Sequence, residues 1–225
     1  MKISGFEKLT LTDYPEHLAC IIFTQGCNYR CPFCQNSSLI NIRDGDIDII
    51  NIMNYLEERK NILEGVVISG GEPTVQPDLY DFIKLLRTKG LKIKLDTNGS
   101  NPMILKKLLD ENLLDYVAMD IKNDFESYDK IIGTHACIDK LKESINLLKN
   151  SNIYFEFRTT IVKEFHYINK LKNIAKIVGN HKYFIQNYQD SDYVLDRSLH
   201  GFTQDELAEI ANEFKKNKNI KVRGM

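Results

Sequence analysis

Residues 19–34 read ACIIFTQGCNYRCPFC. The first seven form an apolar, partly β-branched run ended by Gly26, which reads as a strand over 19–25. The turn after that strand decides between two architectures. A flat doubly wound sheet favours a glycine-rich phosphate loop after its first strand, whereas here Gly26-Cys27 opens a cysteine loop, and no G-x-G-x-x-G or Walker-type motif occurs anywhere in the chain. Outward from this stretch, apolar runs recur at 65–69, 91–96, 116–121, 153–162 and 182–186, with a short further one at 219–223. Between them, 48–60, 78–89, 102–112, 138–150, 168–178 and 203–217 carry apolar residues at helical spacing, as in Leu141, Ile145 and Leu148. Asn101-Pro102 and the pair Thr203 and Glu206 read as helix starts. Strand and helix alternating at roughly 35-residue spacing give parallel strands with right-handed crossovers. The fold expected is α/β, a partial (β/α)6 TIM-like barrel, with residues 1–225 as one domain.

Composition narrows the function. Thirty Lys and Arg against 31 Asp and Glu leave a formal charge of −1, which removes the broad cationic surface of non-specific nucleic-acid binding. No apolar run approaches the ~20 residues of a membrane span, and MKISGFEKLT carries no export leader, so a cytoplasmic enzyme is expected.

In parallel α/β folds, reactive groups collect at the carboxyl ends of strands. Here those ends carry Cys27, Cys31 and Cys34, then Gly70-Gly71-Glu72-Pro73, Asp96-Thr97-Asn98-Gly99, Asp120 and Lys122, with Arg158 inside the next strand and Gln186-Asn187 ending the one after. Cys27, Cys31 and Cys34 have C-x3-C-x2-C spacing, so three thiolates can converge in a loop that Pro32 stiffens. Structural zinc needs four ligands; His17 and Cys20 are the nearest others, and Cys20 would have to fold back along up to roughly 23 Å of chain. An iron–sulfur cluster on three thiolates keeps one iron open, the mark of a catalytic centre, and is the preferred reading. Cys20 and Cys137 read as a core thiol and a helix-end residue, and the five histidines as structural or surface residues. The Gly70-Gly71 pair would let a ligand approach the backbone, or make a tight turn before a helix. Asp96 and Asp120 suit a cation or ligand hydroxyls, or the capping of neighbouring helices. Lys122 suits a carboxylate or open solvent, and Arg158, in an apolar strand, calls for an anionic partner.

Taken in order, these motifs, with Phe33 before the last cysteine, resemble the radical S-adenosylmethionine enzymes, and among them the activating enzymes of glycyl radical enzymes. The opening stretch GFEKLTLTDYPEHLACIIFTQGCNYRCPFCQN, Arg158-Thr159-Thr160 and the late run FIQNYQ are most similar to activators of anaerobic ribonucleoside-triphosphate reductase. The resemblance implies a [4Fe–4S] cluster on Cys27, Cys31 and Cys34 whose open iron is chelated by S-adenosylmethionine. Gly70, Gly71 and Glu72 would hold the methionine end, Phe33 would lie near adenine, and Lys122 near the carboxylate, with Arg158 in the same binding set. Asp96, Thr97 and Asp120 resemble residues that surround a monovalent cation in pyruvate formate-lyase activating enzymes, although Ala118 could contribute only a carbonyl. The implied partner is a glycyl radical enzyme. Only 35 residues separate Cys34 from Gly70, which leaves no room for additional clusters and points to an external flavodoxin- or ferredoxin-type electron donor. The competing readings are activation of a pyruvate formate-lyase type enzyme, radical chemistry on a small molecule, and a non-enzymatic iron–sulfur or zinc protein.

Overall fold

The computed structural model describes residues 1–224. Eight strands form one sheet in the order of the chain: β1 (Ile3–Thr10), β2 (Ala19–Thr24), β3 (Gly65–Gly70), β4 (Lys92–Thr97), β5 (Tyr116–Asp120), β6 (Tyr154–Ile161), β7 (Tyr183–Asn187) and β8 (Ile220–Arg223). From β2 to β8 every pairing is parallel. Successive strands are always neighbours, so the sheet never reverses direction as a doubly wound one must, and the partial barrel expected from the sequence is what forms. Two strands extend the six expected: β8, the short late run, and β1, which the sequence did not reveal and which pairs antiparallel with β2.

The crossovers are carried by α1 (Ile49–Glu58), α2 (Leu79–Arg87), α3 (Pro102–Asp110), α5 (Ile138–Lys149) and α6 (Ile168–Val178), and α7 (Gln204–Phe214) leads into β8. A one-turn helix, α4 (Tyr128–Ile132), precedes α5 and ends at Gly133 in the left-handed region, φ +63°. The anticipated helix starts are present: Asn101 caps α3 ahead of Pro102, and Thr203 and Glu206 form a reciprocal capping box on α7. Among the described residues no helix is long and apolar enough to cross a membrane.

Alternation along each strand separates two cores. Outward residues such as Ile68, Ile93, Leu95, Val117, Met119 and Phe157 join the helices in a large apolar layer. Inward residues make a smaller apolar floor of Tyr14, Ala19, Ile21, Val67 and Tyr116, with Tyr14 packed edge-on to Tyr116 at 6.1 Å between ring centres. Above this floor the inward positions turn polar: Lys94 and Asp96 on β4, Glu156 and Arg158 on β6. A sealed bottom and a charged interior direct the chemistry to the carboxyl ends of the strands.

Candidate active site

There the structure brings together every site residue named from the sequence. Cys27, Cys31, Phe33 and Cys34, Gly70, Gly71 and Glu72, Asp96 and Thr97, Asp120 and Lys122, and Arg158 all line one cavity of about 330 Å³. A more open depression of about 610 Å³ between α3 and the end of α5 contains none of them. The volume at the motifs falls at the small end of ordinary ligand pockets.

The cysteine loop is fixed by its backbone. Gly26 N donates to Leu39 O (2.7 Å), Cys27 N to Ile40 O (2.9 Å) and Arg30 N to Ile132 O (2.7 Å), while the Arg30 guanidinium donates to the Cys27 and Tyr29 carbonyls. All five cysteines are free thiols. Burial pushes the Cys27 thiol up to about 12 and the Cys31 thiol up to about 11, and raises Cys34 as well, with the Lys122 ammonium pulling the other way. Such thiols keep their protons until a metal replaces them. The Tyr29 N–H already points at Cys27 Sγ (3.4 Å), a donor aimed at a would-be thiolate ligand. Among the described residues no three His, Cys, Asp or Glu side chains gather tightly enough to share one ion. A single zinc would therefore have to collect ligands the loop holds apart, whereas an iron–sulfur cluster places a different iron under each sulfur; the donor set fits a cluster. Cys20 is wholly buried on the outer face of β2, and Cys137 is the exposed N-cap of α5; neither lines the cavity.

Of the two reasons the sequence offered for Gly70 and Gly71, the tight turn before a helix is present, with the helical turn Pro73–Val75 following it. Gly70 has φ +107°, and a Cβ on Gly71 would lie 2.2 Å from Gly26 O. Gly71 N donates to Thr24 O and Glu72 N to Gly26 O, both at 2.9 Å, so the glycines admit the neighbouring turn itself. The Glu72 carboxylate, 1% exposed, accepts from Thr74 N and Thr74 Oγ1, from Thr97 Oγ1 (2.7 Å) and from Asn98 N (2.6 Å). Burial nevertheless leaves its carboxyl above the ordinary range. Three of those donors fall on Oε1 and one on Oε2, so the Glu72 side chain clamps the ends of β3 and β4 while it still lines the cavity with an acceptor site left on Oε2.

A ladder of alternating charges crosses the cavity floor. Lys94 pairs with Asp96 Oδ1; the Arg158 guanidinium reaches Asp96 Oδ2 at 3.4 Å and, through Nε, Asp120 Oδ1 at 2.8 Å; Lys122 Nζ meets Asp120 Oδ2 at 2.9 Å. Burial would raise both carboxyls, but Arg158 with Lys94 or Lys122 outweighs it and holds both below the usual range. The same pairing raises Lys122 and Arg158 against their own burial. A monovalent cation, expected between Asp96 and Asp120, does not fit: the Arg158 guanidinium bridges them.

Four contributors escaped the sequence. Lys94 is 2% exposed beneath Asp96, Ser69 Oγ donates to Asp96 Oδ2 (3.1 Å), and Asp13, from the β1–β2 connection, borders the cavity. His166, read above with the other histidines as structural or surface, is structural and supports the site: it is buried edge-on against Phe33, 6.3 Å between ring centres, and bonded to the Lys122 carbonyl. Lys94 shares its strand face with the exposed Lys92, so no local pattern marked it, and nothing marked His166. Gln186 borders the mouth, whereas Tyr183 is buried and bonded to Thr159, out of reach of any partner.

Comparison with known proteins agrees with this geometry. The family model of the Radical SAM superfamily matches residues 21–167. A protein of Methanocaldococcus jannaschii, provisionally named a glycyl-radical enzyme activating enzyme, is 32% identical over 196 residues, covering 84% of this chain and 81% of its own. The pyruvate formate-lyase-activating enzyme of Clostridium pasteurianum is 30% identical over 188 residues, 80% of this chain and 78% of its own. Among solved structures, Streptococcus suis SuiB bound to S-adenosylmethionine superposes with a TM-score of 0.70 at 14% identity, over 89% of this chain and 48% of SuiB, a likeness of fold. The chain belongs to the radical SAM superfamily and, within it, to the glycyl-radical-enzyme activating enzymes, which work with a [4Fe–4S] cluster and S-adenosylmethionine.

Proposed function

We propose that this chain, acting as one unit over residues 1–225, installs the glycyl radical of an anaerobic ribonucleoside-triphosphate reductase. The observation that carries the reading is the convergence of three free thiols with the Lys122–Asp120–Arg158 cluster in one cavity. Cys27, Cys31 and Cys34 would hold the cluster. When bound, cluster and S-adenosylmethionine together supply a 5′-deoxyadenosyl radical, which takes a hydrogen atom from a glycine α-carbon of the partner. The chain's own residues bind and orient. Lys122 and Arg158 form the cationic edge that suits the methionine carboxylate, and Phe33, held against His166, offers an apolar face to adenine. Glu72, whose Oε2 accepts only from Asn98 N, would hold the methionine amino group together with Gly70 and Gly71. The choice of reductase rests on the stretches most similar to its activators, which border the cavity through Asp13, Phe23, the cysteine loop, Arg158, Thr160 and Gln186. Cys20 and Cys137 do not line the cavity and the sequence has no further cysteines for a second cluster, so the electron comes from an external flavodoxin- or ferredoxin-type donor, in a reducing cytoplasm.

The test mixes anaerobically reconstituted protein, reductant and S-adenosylmethionine with the reductase from the same organism, recording EPR and assaying 5′-deoxyadenosine. A glycyl-radical doublet supports the reading. A doublet only with a pyruvate formate-lyase type enzyme, the second reading favoured by the Clostridium pasteurianum relative, replaces the partner. Deoxyadenosine with no doublet redirects attention to a small molecule, and neither signal from cluster-loaded protein defeats the proposal.

A further inference from the structure

We infer that Lys94 and Arg158 are the resident cations of the Asp96–Asp120 pair, so that this enzyme receives the carboxylate end of its cofactor without a bound monovalent metal ion; the inference rests on the reading of the cavity given above. A sodium or potassium ion needs oxygen lone pairs facing it. Here each carboxylate oxygen already faces a proton donor: Asp96 Oδ1 has the Lys94 ammonium, Asp96 Oδ2 has Ser69 Oγ and the Arg158 guanidinium, Asp120 Oδ1 has Arg158 Nε, and Asp120 Oδ2 has Lys122 Nζ. Thr97 Oγ1 is committed too, donating to Glu72 and accepting from Gly99 N at 3.1 Å. Position 118, next to Asp96 across the β4–β5 ladder, is alanine and has no side-chain oxygen to add.

Charge points the same way. The carboxylates of Asp96, Asp120 and Glu156 face the cations Lys94, Arg158 and Lys122 and, at 3.9 Å from Glu156, Arg223, so the group carries a formal +1, which disfavours a further cation and favours an anion. If Lys122 turns to an incoming carboxylate, Lys94 and Arg158 still neutralise Asp96 and Asp120 one for one. Lys94 is the member that makes this possible. Its side chain is 2% exposed and its ammonium is confined between Asp96 and the face of Tyr116, 5.9 Å from the ring centre, so it has no solvent alternative.

The experiment compares wild type and Lys94→Met at equal ionic strength in sodium, potassium or tetramethylammonium chloride. It reads S-adenosylmethionine affinity of the reconstituted protein by equilibrium dialysis, and thermal melting with no cofactor added. Wild type is expected to show the same affinity and melting temperature in all three salts. Lys94→Met, which leaves Asp96 one cation short, is expected to bind the cofactor about tenfold more tightly in sodium or potassium than in tetramethylammonium. Wild-type affinity that rises several-fold with either metal ion overturns the inference, and a Lys94→Met protein as indifferent to salt as wild type removes Lys94 from it. Should Lys94→Met fail to fold, Lys94→Gln takes its place, and the wild-type comparison decides by itself whether a metal ion is needed. Wild type that binds no cofactor in any salt defeats the proposed function instead; the cofactor-free melting series then still upholds the inference if sodium and potassium give no selective stabilisation, and refutes it if they do.

Discussion

His166 Nε2 lies 2.8 Å from the backbone carbonyl oxygen of Lys122, and the opposite ring nitrogen, Nδ1, accepts the Val162 N–H at 3.1 Å. With Nδ1 an acceptor, the hydrogen-bond network assigns the proton to Nε2, and the neutral ring ties the end of β5 to the turn after β6. It also forms the wall against which Phe33 packs, so one residue remote from every motif sets the positions of two that line the cavity.

Removing that ring is expected to damage both fold and site. His166→Ala leaves a buried carbonyl and a buried N–H without partners, at about 1–3 kcal/mol each. Melting temperature should fall, and S-adenosylmethionine affinity of the surviving folded protein should weaken more than in a comparably destabilised variant of the outer core such as Ile174→Ala. Equal affinity in the two variants would show that His166 only stabilises.

Cys31→Ala is expected to abolish 5′-deoxyadenosine formation, because Cys31 is one of only three thiols that line the cavity. Iron and sulfide content of the reconstituted variant should drop with it. A variant that keeps wild-type iron and activity would remove Cys31 from the cluster.

Gly71→Ala separates the two readings of the glycine pair. If Gly71 merely made way for a ligand, the variant would fold normally and lose only cofactor affinity. The 2.2 Å approach of an added Cβ to Gly26 O implies instead that the turn after β3 and the start of the cysteine loop must move apart. The expected result is a loss of roughly 1–3 kcal/mol of stability together with poorer iron incorporation, seen in denaturant melts and metal analysis.

These cases show where sequence is a sufficient guide. The parallel strands were readable because outward positions such as Ile68, Leu95 and Phe157 are buried under helices, giving uninterrupted apolar runs. Strand β1 was hidden because ISGFEKLT pairs on one side only, carries Gly5, and exposes Glu7, Lys8 and Leu9. Helix α4 has five residues, too few for a period to register. The motif residues were found because their types are unusual at strand ends, but their partners were not. A period of two puts Lys92, Lys94 and Asp96 on one face of β4, yet Lys92 is exposed at the barrel's lower rim while Lys94 is sealed inside. Depth along a barrel is a property of its closure by Tyr14 and Tyr116, distant in sequence, so no local pattern could tell the two lysines apart.

Acid titration should expose the two buried networks in sequence. Burial depresses His166 below its usual 6.5. A depressed value means the folded state resists taking up a proton that the unfolded chain accepts, so this contribution is complete above about pH 6.5 and is lost as pH falls from there through the folded value. Asp96 and Asp120 are held below 3.8 by Arg158 with Lys94 or Lys122, so their contribution persists at mild acidity and disappears only below about pH 3.8. Denaturant-unfolding free energy measured on the metal-free protein should therefore decline first below pH 6.5 and again below pH 3.8. Asp120→Asn is expected to leave the first decline intact and shrink the second, while lowering stability near neutrality because Arg158 and Lys122 lose a buried counter-charge. A His166→Gln protein that still shows the first decline would assign it to another group.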